Sequence, residues 1–374
     1  VTPALRVVAA LDSFKGSVSS AEAGEAARLG ILAAAPDADV VVVPVADGGE
    51  GTVAALSGIG RVGSVEAVDL FGRPIMPPHV VLPHGAVVIE SASTAGIGLL
   101  PIVDVDSARR ATTQGLGMQI AEVARAEPGH DILVGLGGTG CTDGGTGMLL
   151  ALGARLWDAA GREITAADPH PLLARPIRVE LPSPPGPLVG LADVDSPLLG
   201  PTGAAQMFAP QKGADTALVE ELESAMRGWA LALAEAGADV ADMPGAGAAG
   251  GLGAAILALG GVIESGFTRL IREADVESAF ARADLVLTGE GSIDAQTARG
   301  KVPDAAARLA HSSGRALVVA LGGRVEPVDA SFDAAFPIHS GPISLDRAMD
   351  PEVTRHAIAD AAARVARLLI AARA

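Results

Sequence analysis

The sequence predicts an α/β fold: a doubly wound parallel sheet with a second, mixed α/β domain inserted into it. Three observations lead there. Near the start, the apolar run LRVVAALD (5–12) is followed by a helical pattern from about Ser19 to Ala35 and then by DVVVVPVAD (39–47), which together make a β-α-β unit. Near the end the alternation returns as DLVLTGEG (284–291), a helix beginning near Pro303, ALVVALGG (316–323), AAFPI (334–338) and a last helix from about 351 to 372. Between these stretches, from about Arg61 to Phe280, short strands with Gly and Pro turns give way to mixed helices and strands.

Each element has a local reason. The first helix starts at a capping box, Ser19 with Glu22 three residues on, followed by Ala, Leu and Ile at helical spacing. The five runs are continuously apolar rather than alternating, so both faces are covered, as in a parallel sheet wound with helices on either side. The intervening region is read as the inserted domain, 63–280, leaving 1–62 with 281–374 as the discontinuous outer domain. LPSPPGP (181–187) is a rigid loop inside the insert, because strand signal resumes at once in LVGLAD.

A chain of 374 residues is long enough for two cores. With 27 basic against 44 acidic residues its net charge is −17, which excludes nucleic acid and anionic membrane as partners in the absence of a basic cluster. Met243 to Ile263 carries no charge, yet its seven glycines and Pro244 suit a packed loop and helix better than a membrane span. A single cysteine, Cys141, and an opening without a secretory pattern lead us to expect a cytoplasmic protein. Of the 27 basic residues only three are lysines, Lys15, Lys212 and Lys301, and each touches a glycine. Compact point charges in glycine-flanked loops suit anion binding where a planar guanidinium would not.

In an open parallel sheet ligands bind beyond the carboxyl ends of the strands. The first strand ends in Asp12 and continues as SFKGS, which places Ser13, Lys15 and Gly16 just ahead of a helix, an expected anion site. The second ends in Asp47 and continues as GGEG. There Gly48 and Gly49 let backbone approach a ligand, while Asp47 and Glu50 offer oxygen to Mg²⁺. The third is expected to end at Thr288 and continue as GEGSID, with Glu290 and Asp294, followed by Gly300 and Lys301. In the insert a strand runs out at Asp193 and Asp195, whose spacing lets one hold a metal while the other accepts a hydroxyl proton, the division of labour in phosphoryl transfer to an alcohol.

One segment competes. Gly135, Gly137 and Gly140 match a dinucleotide fingerprint after a strand, with Asp158 further on, but Asp143, Gly144, Gly145 and Gly147 fall where its helix should already be running. There is no Walker lysine motif, no histidine metal spacing and no nucleophile elbow.

ALDSFKGSVSS, VPVADGGEGTV, DLFGRP, VVIESASTAGIGLL, DVDSPLLGPTGAAQMFAPQKGA, GAGAAGGLGAAI and LTGEGSIDAQTARGKVP follow one another from residue 10 to about 303. In this order they resemble the signature stretches of the bacterial glycerate kinase family. The resemblance implies a flavodoxin-like domain with an inserted one, an active site in the cleft between them, ATP and D-glycerate as substrates, Mg²⁺, and 2-phosphoglycerate as product. For such a transfer we expect Lys15 to stabilise the moving phosphoryl, Asp193 or Asp195 to take the hydroxyl proton, and Asp47 with Glu290 to hold the metal. Ser13, Gly16, Gly48, Gly49, Arg73, Ser93, Thr139, Asp143, Lys212, Glu290, Asp294 and Lys301 are the expected substrate- or nucleotide-binding set. Two departures stand out. Gly137 to Gly145 read GGTGCTDGG where many relatives read Gly-Gly-Ser-Ala-Thr-Asn-Asp-Gly-Gly, and Leu191 and Ala192 precede Asp193 where Ala-Cys is usual.

Overall fold

The computed structural model describes residues 4–43, 45, 48–274, 276–295, 297, 302–314, 316–327 and 331–373. Contacts divide the chain into two compact units, 1–46 with 267–374, and 47–266. The dividing points therefore fall before those read from the sequence. Arg61–Ser64 pairs antiparallel with Pro78–Val81, which commits the residues just before it to the second unit's sheet.

The first unit is built on a five-stranded sheet in the order Ala334–Pro337, Leu317–Val325, Leu285–Ile293, Arg6–Leu11, Asp39–Val42. Every pairing in it is parallel. Numbered along the chain this is 2-1-3-4-5, the flavodoxin-like order, whose direction reverses between Arg6–Leu11 and Leu285–Ile293. Strand alternation sends Val7, Ala9 and Leu11 to one face, where they pack with Ile31 of helix Ser20–Ala34 and Ile358, Ala362 and Val365 of helix Pro351–Arg373. Val8 and Ala10 point to the other face, against Phe267, Phe280, Val302 and Ala306. Both faces are thus covered, which is why these strands are apolar throughout. The capping box forms as expected: Ser19 accepts from the Glu22 amide, and the Glu22 carboxylate accepts from the Ser19 amide.

The second unit carries a six-stranded sheet, Val262–Glu264, Leu188–Leu191, Ile132–Gly135, Val87–Glu90, Pro78–Val81, Arg61–Ser64. Its first four strands are parallel and its last two antiparallel. Ile89, Ile132, Val134 and Leu188 pack into one core with Leu116 and Ile120 of helix Gln114–Ala126 and Leu218, Leu222 and Trp229 of helix Thr216–Glu235. Small antiparallel ribbons at Arg155–Trp157, Glu163–Ile164 and Arg178–Glu180 complete the unit, together with a pair at Ala67–Val68 and Pro74–Ile75. No helix among the described residues is long and apolar enough to cross a membrane.

One expectation is corrected here, and a competing motif discounted from the sequence fails in the structure. The third strand of the first sheet does not end at Thr288; it runs to Ile293, because Leu317–Val325 keeps pairing with it (Glu290 with Gly322, Ser292 with Arg324) after Arg6–Leu11 has parted from it at Gly289. The dinucleotide fingerprint also fails as structure. After Ile132–Gly135 the chain does not enter a helix until Thr146, and Gly138, Gly144 and Gly145 sit at positive φ in between.

Candidate functional site

In the first unit the polar groups gather at the topological reversal, where diverging loops leave a crevice at the strand ends. The Asp12 amide donates to the Gly289 carbonyl at 2.8 Å, so Asp12, just past its strand, lies beside Glu290, still within the neighbouring one. Ser13 follows, its amide donating to the Asp12 carboxylate at 2.6 Å. The chain then makes a tight turn closed by Phe14 and Val18, both buried, whose backbones bond in both directions. Lys15 and Gly16 are exposed at its tip, with Gly16 at φ 77°, where glycine carries no steric penalty. Contrary to expectation, Lys15 does not sit directly at a helix N-terminus: the turn intervenes, and the helix start is closed by its own capping box. The turn is seated by a 2.6 Å hydrogen bond between the Ser17 and Thr354 hydroxyls. A Cβ on Gly291, the residue after Glu290, would lie 3.7 Å from the Lys15 amide, so the lysine turn passes directly over the third strand.

Glu290 is buried, and its Oε1 accepts from the Thr297 hydroxyl at 2.7 Å. Thr297 is itself held by Asp294, whose amide donates to its oxygen at 3.0 Å. Glu290 and Asp294 thus belong to one network built by the strand extension. Asp12, read from the sequence only as a strand end, stands beside Glu290 in the backbone register. The expected ligand Asp47 and the expected anion-binding Lys301 lie outside the described residues. No cluster of three or more metal-binding side chains occurs among the described residues.

In the second unit the loops at the carboxyl ends of the parallel strands interlock through glycine. Gly137 donates to the Gly48 carbonyl at 3.1 Å. A Cβ on Gly48 would lie 2.6 Å from Leu191 Cβ, and one on Gly137 2.6 Å from Gly49 Cα. The loop beginning at Gly48 therefore lies across the ends of Ile132–Gly135 and Leu188–Leu191, with Glu50 exposed on it. Helix Thr52–Leu56 follows, and its Val53 amide donates to the buried carboxylate of Glu90, which ends the neighbouring strand. Glu90 was missed in the sequence; in VVIESAS it reads as any strand terminus.

Ser93 is half-buried on the short helix Ala92–Ala95, which packs against the next loop through Gly140 N to Ala95 O, 2.7 Å, and a bridge between Gly96 and Thr139. Asp193 and Asp195 lie past the end of Leu188–Leu191, outside the strand ladder, Asp193 half-buried and Asp195 exposed. Lys212 behaves differently from the expected substrate cation. It is buried, donating to the Thr139 hydroxyl at 3.1 Å and the Cys141 carbonyl at 2.6 Å, and burial pulls its pKa below that of an ordinary lysine. The run Ala249, Gly250, Gly251, all at positive φ, closes over it. A Cβ on Gly250 would lie 3.1 Å from Lys212 Nζ and would overlap the Cys141 carbonyl. Burial also raises the Cys141 thiol well above its usual range, so it stays protonated.

Asp143 is completely buried and accepts from the Thr113 amide and hydroxyl and from the Gly145 and Gly147 amides, at 2.8 to 3.2 Å. Its carboxylate is the hub of the glycine-rich loop, saturated by protein donors rather than turned to a ligand. Arg73 is engaged by Asp69 at 2.6 Å, with its guanidinium over the Phe71 ring at 5.6 Å. DLFGRP is thus a self-contained turn, with Asp69 also accepting from the Phe71 and Arg73 amides.

Residues 7–370 match the model of the glycerate kinase family. The chain belongs to that family. It is 36% identical to a glycerate 2-kinase of Escherichia coli (strain K12) and 36% identical to a glycerate kinase of Bacillus subtilis (strain 168), each match covering 92% of this chain and 93% of the relative. A candidate glycerate kinase 2 from Salmonella typhimurium LT2, known from its crystal structure, superposes with a TM-score of 0.84 at 33% identity, over 99% of this chain and all of that one. In this glycerate kinase family member the signature stretches coincide with the loops just described: SFKGS is the Phe14–Val18 turn, and GAGAAGGLGAAI is the left-handed run over Lys212.

Proposed function

We propose that this protein is an ATP-dependent glycerate kinase that transfers the γ-phosphate to the 2-hydroxyl of D-glycerate, releasing 2-phosphoglycerate and ADP in the cytoplasm. The observation that carries the reading is the family match along almost the whole chain, together with an exposed lysine and two neighbouring carboxylates, Asp12 and Glu290, at the topological reversal of a flavodoxin-like sheet. Phosphoryl transfer to an alcohol asks mainly for alignment and charge neutralisation. Lys15, free to move at the tip of a rigidly seated turn, is assigned to the oxygens of the transferring phosphoryl group. Glu290 and Asp47 are assigned to hold Mg²⁺, with Asp12 beside Glu290 as a further oxygen donor. The ion would supply neutralisation of the triphosphate. Asp193 or Asp195 is assigned to accept the proton of the substrate hydroxyl, since both leave the ordered ladder at a strand end. Ser13, Gly16, Gly48, Gly49 and Ser93 supply small groups and backbone amides that a polyanion can approach closely. The glycerate carboxylate needs a cation from the expected binding set, in which Arg73 is committed to Asp69 and Lys212 to Thr139 and Cys141. The assignment therefore falls to Lys301.

The test is phosphorus and carbon NMR of the purified protein with Mg²⁺-ATP and D-glycerate, with L-glycerate and erythronate as controls. A phosphoester coupled to C2 is the expected product. Coupling to C3 would move the site of transfer, a preference for erythronate would change the substrate, and ligand binding with no ester from any acid would make the protein a binding protein instead.

A further inference from the structure

Beside the carboxyl end of the edge strand Ala334–Pro337 lies an open surface pocket of about 330 Å³, with Phe336, Ser340, Arg364 and Leu368 exposed, that the residues assigned to phosphoryl transfer do not use. Phe336, Val365 and Leu368 give it an apolar wall, and Arg364, His339 and Ser340 a polar one. Arg364 is built in. Its Nε donates to the Asp360 carbonyl at 3.2 Å and its Nη2 to the Ile338 carbonyl at 3.1 Å, which fixes the plane of the guanidinium. A guanidinium has five N–H donors, so three remain. No carboxylate among the described residues pairs with it, although acidic residues outnumber basic ones 44 to 27 along the chain. Burial holds the His339 imidazole below its ordinary pKa, so it enters the pocket neutral, able to donate one hydrogen bond and accept another.

We propose that this pocket is a second ligand site, which binds a small monocarboxylate with an aromatic or branched apolar body. A planar, pre-oriented guanidinium with donors to spare matches a carboxylate in two-point fashion. The Phe336 ring and the aliphatic wall match a flat apolar body. One permanent cation does not match a triphosphate, which would bring several charges into a space at the small end for ligand pockets. The site is also displaced from the sheet's reversal point. Leu317–Val325 stands between Ala334–Pro337 and Leu285–Ile293, so the separation is about two strand spacings, roughly 10 Å.

Benzoate is a suitable probe, with benzamide as its uncharged analogue. Binding to the full chain is followed by ligand-observed NMR titration, alone and with saturating Mg²⁺, D-glycerate and a non-hydrolysable ATP analogue. Benzoate is expected to bind on the order of 1 mM, benzamide and Arg364→Gln each to weaken binding at least tenfold, and Phe336→Ala to weaken it about threefold. The thermal midpoint of each variant establishes that it is folded, and the benzamide comparison needs no variant at all. Saturation with the kinase substrates is expected to leave benzoate binding unchanged. Equal affinity for benzoate and benzamide, unchanged binding in Arg364→Gln, displacement by the nucleotide analogue, or no binding at 20-fold higher benzoate (about 20 mM) would each overturn the proposal.

Discussion

Lys15 and Lys212 are both glycine-flanked lysines in signature loops, and the fold treats them oppositely. Lys15 is exposed at the tip of a turn whose own backbone bonds, together with Ser17 and Thr354, hold it in place without using the ammonium. Lys212 is buried, with its ammonium spent on Thr139 and on the Cys141 carbonyl beneath a left-handed stretch of backbone. The difference shows that a lysine can serve a phosphate-handling protein in two ways. One leaves its charge exposed. The other trades its hydration for the shape of a loop, at a desolvation cost visible in its lowered pKa.

Paired substitutions test this contrast most directly. Lys15→Met is expected to lower kcat about 10²-fold or more while leaving the thermal midpoint unchanged, because a charge stabiliser is lost and no packed group is disturbed. Lys212→Met is expected to lower stability by about 1–3 kcal/mol, since the Cys141 carbonyl and Thr139 hydroxyl lose their buried partner, with activity falling as the loop loosens. A Lys212→Met protein with a wild-type midpoint and a kcat loss equal to that of Lys15→Met would collapse the distinction.

Glycine substitutions sharpen it. Gly250→Ala puts a Cβ onto the Cys141 carbonyl at a residue with φ 70° and should cost about 3 kcal/mol or more in a urea titration. Gly129→Ala, at φ 84° but facing open space, should cost only the backbone penalty of about 1–2 kcal/mol. Equal costs would mean that the cover over Lys212 yields easily.

The smallest effect is expected from the charges that tie the first unit's sheet to its last helix. Asp284 accepts from Arg6 and Arg373, with the Arg6 hydrogen bonds the main cause, and its pKa is held down at about 2. A depressed carboxylate contributes stability above its unfolded value near 4, and that contribution is lost as pH falls through about 2. Asp284→Asn should therefore lower the urea midpoint slightly at pH 7, and the gap from wild type should close between about pH 4 and pH 2. A gap that persists unchanged at pH 2 would assign Asp284's effect to packing rather than charge.

Against these contrasts, the sequence was most legible where one physical demand acts alone. Strands buried on two faces must be apolar, so LRVVAAL, LVLT and LVVAL stand out, and the Ser19–Glu22 box marks its helix to the residue. It was least legible where two elements share a decision. Nothing local in LTGEGSI tells that Leu317–Val325 keeps the strand going past Thr288 and so places Glu290 inside it. Asp143 reads as a ligand-facing acid because the donors that saturate it come partly from Thr113, thirty residues away. Lys212 reads as a substrate-binding cation because Gln-Lys-Gly is a loop tripeptide, and only the return of Gly250 over its ammonium makes it interior. In each case the deciding contact comes from elsewhere in the chain.

The insertion of the second unit between Asp39–Val42 and Leu285–Ile293 also shapes how the protein comes into being. Arg6 and Asp284, bonded neighbours in the finished sheet, are 278 residues apart along the chain. Closing a loop of that length from a disordered state costs about 5 kcal/mol in chain entropy from the logarithmic term alone. During synthesis the first forty-odd residues emerge with only one neighbouring strand to pair with, and the strand that belongs on their other side arrives after the whole insert has been made. An insert that folds first replaces most of that disordered loop with a compact body, so the birth order of the chain works in favour of its most distant strand pairing.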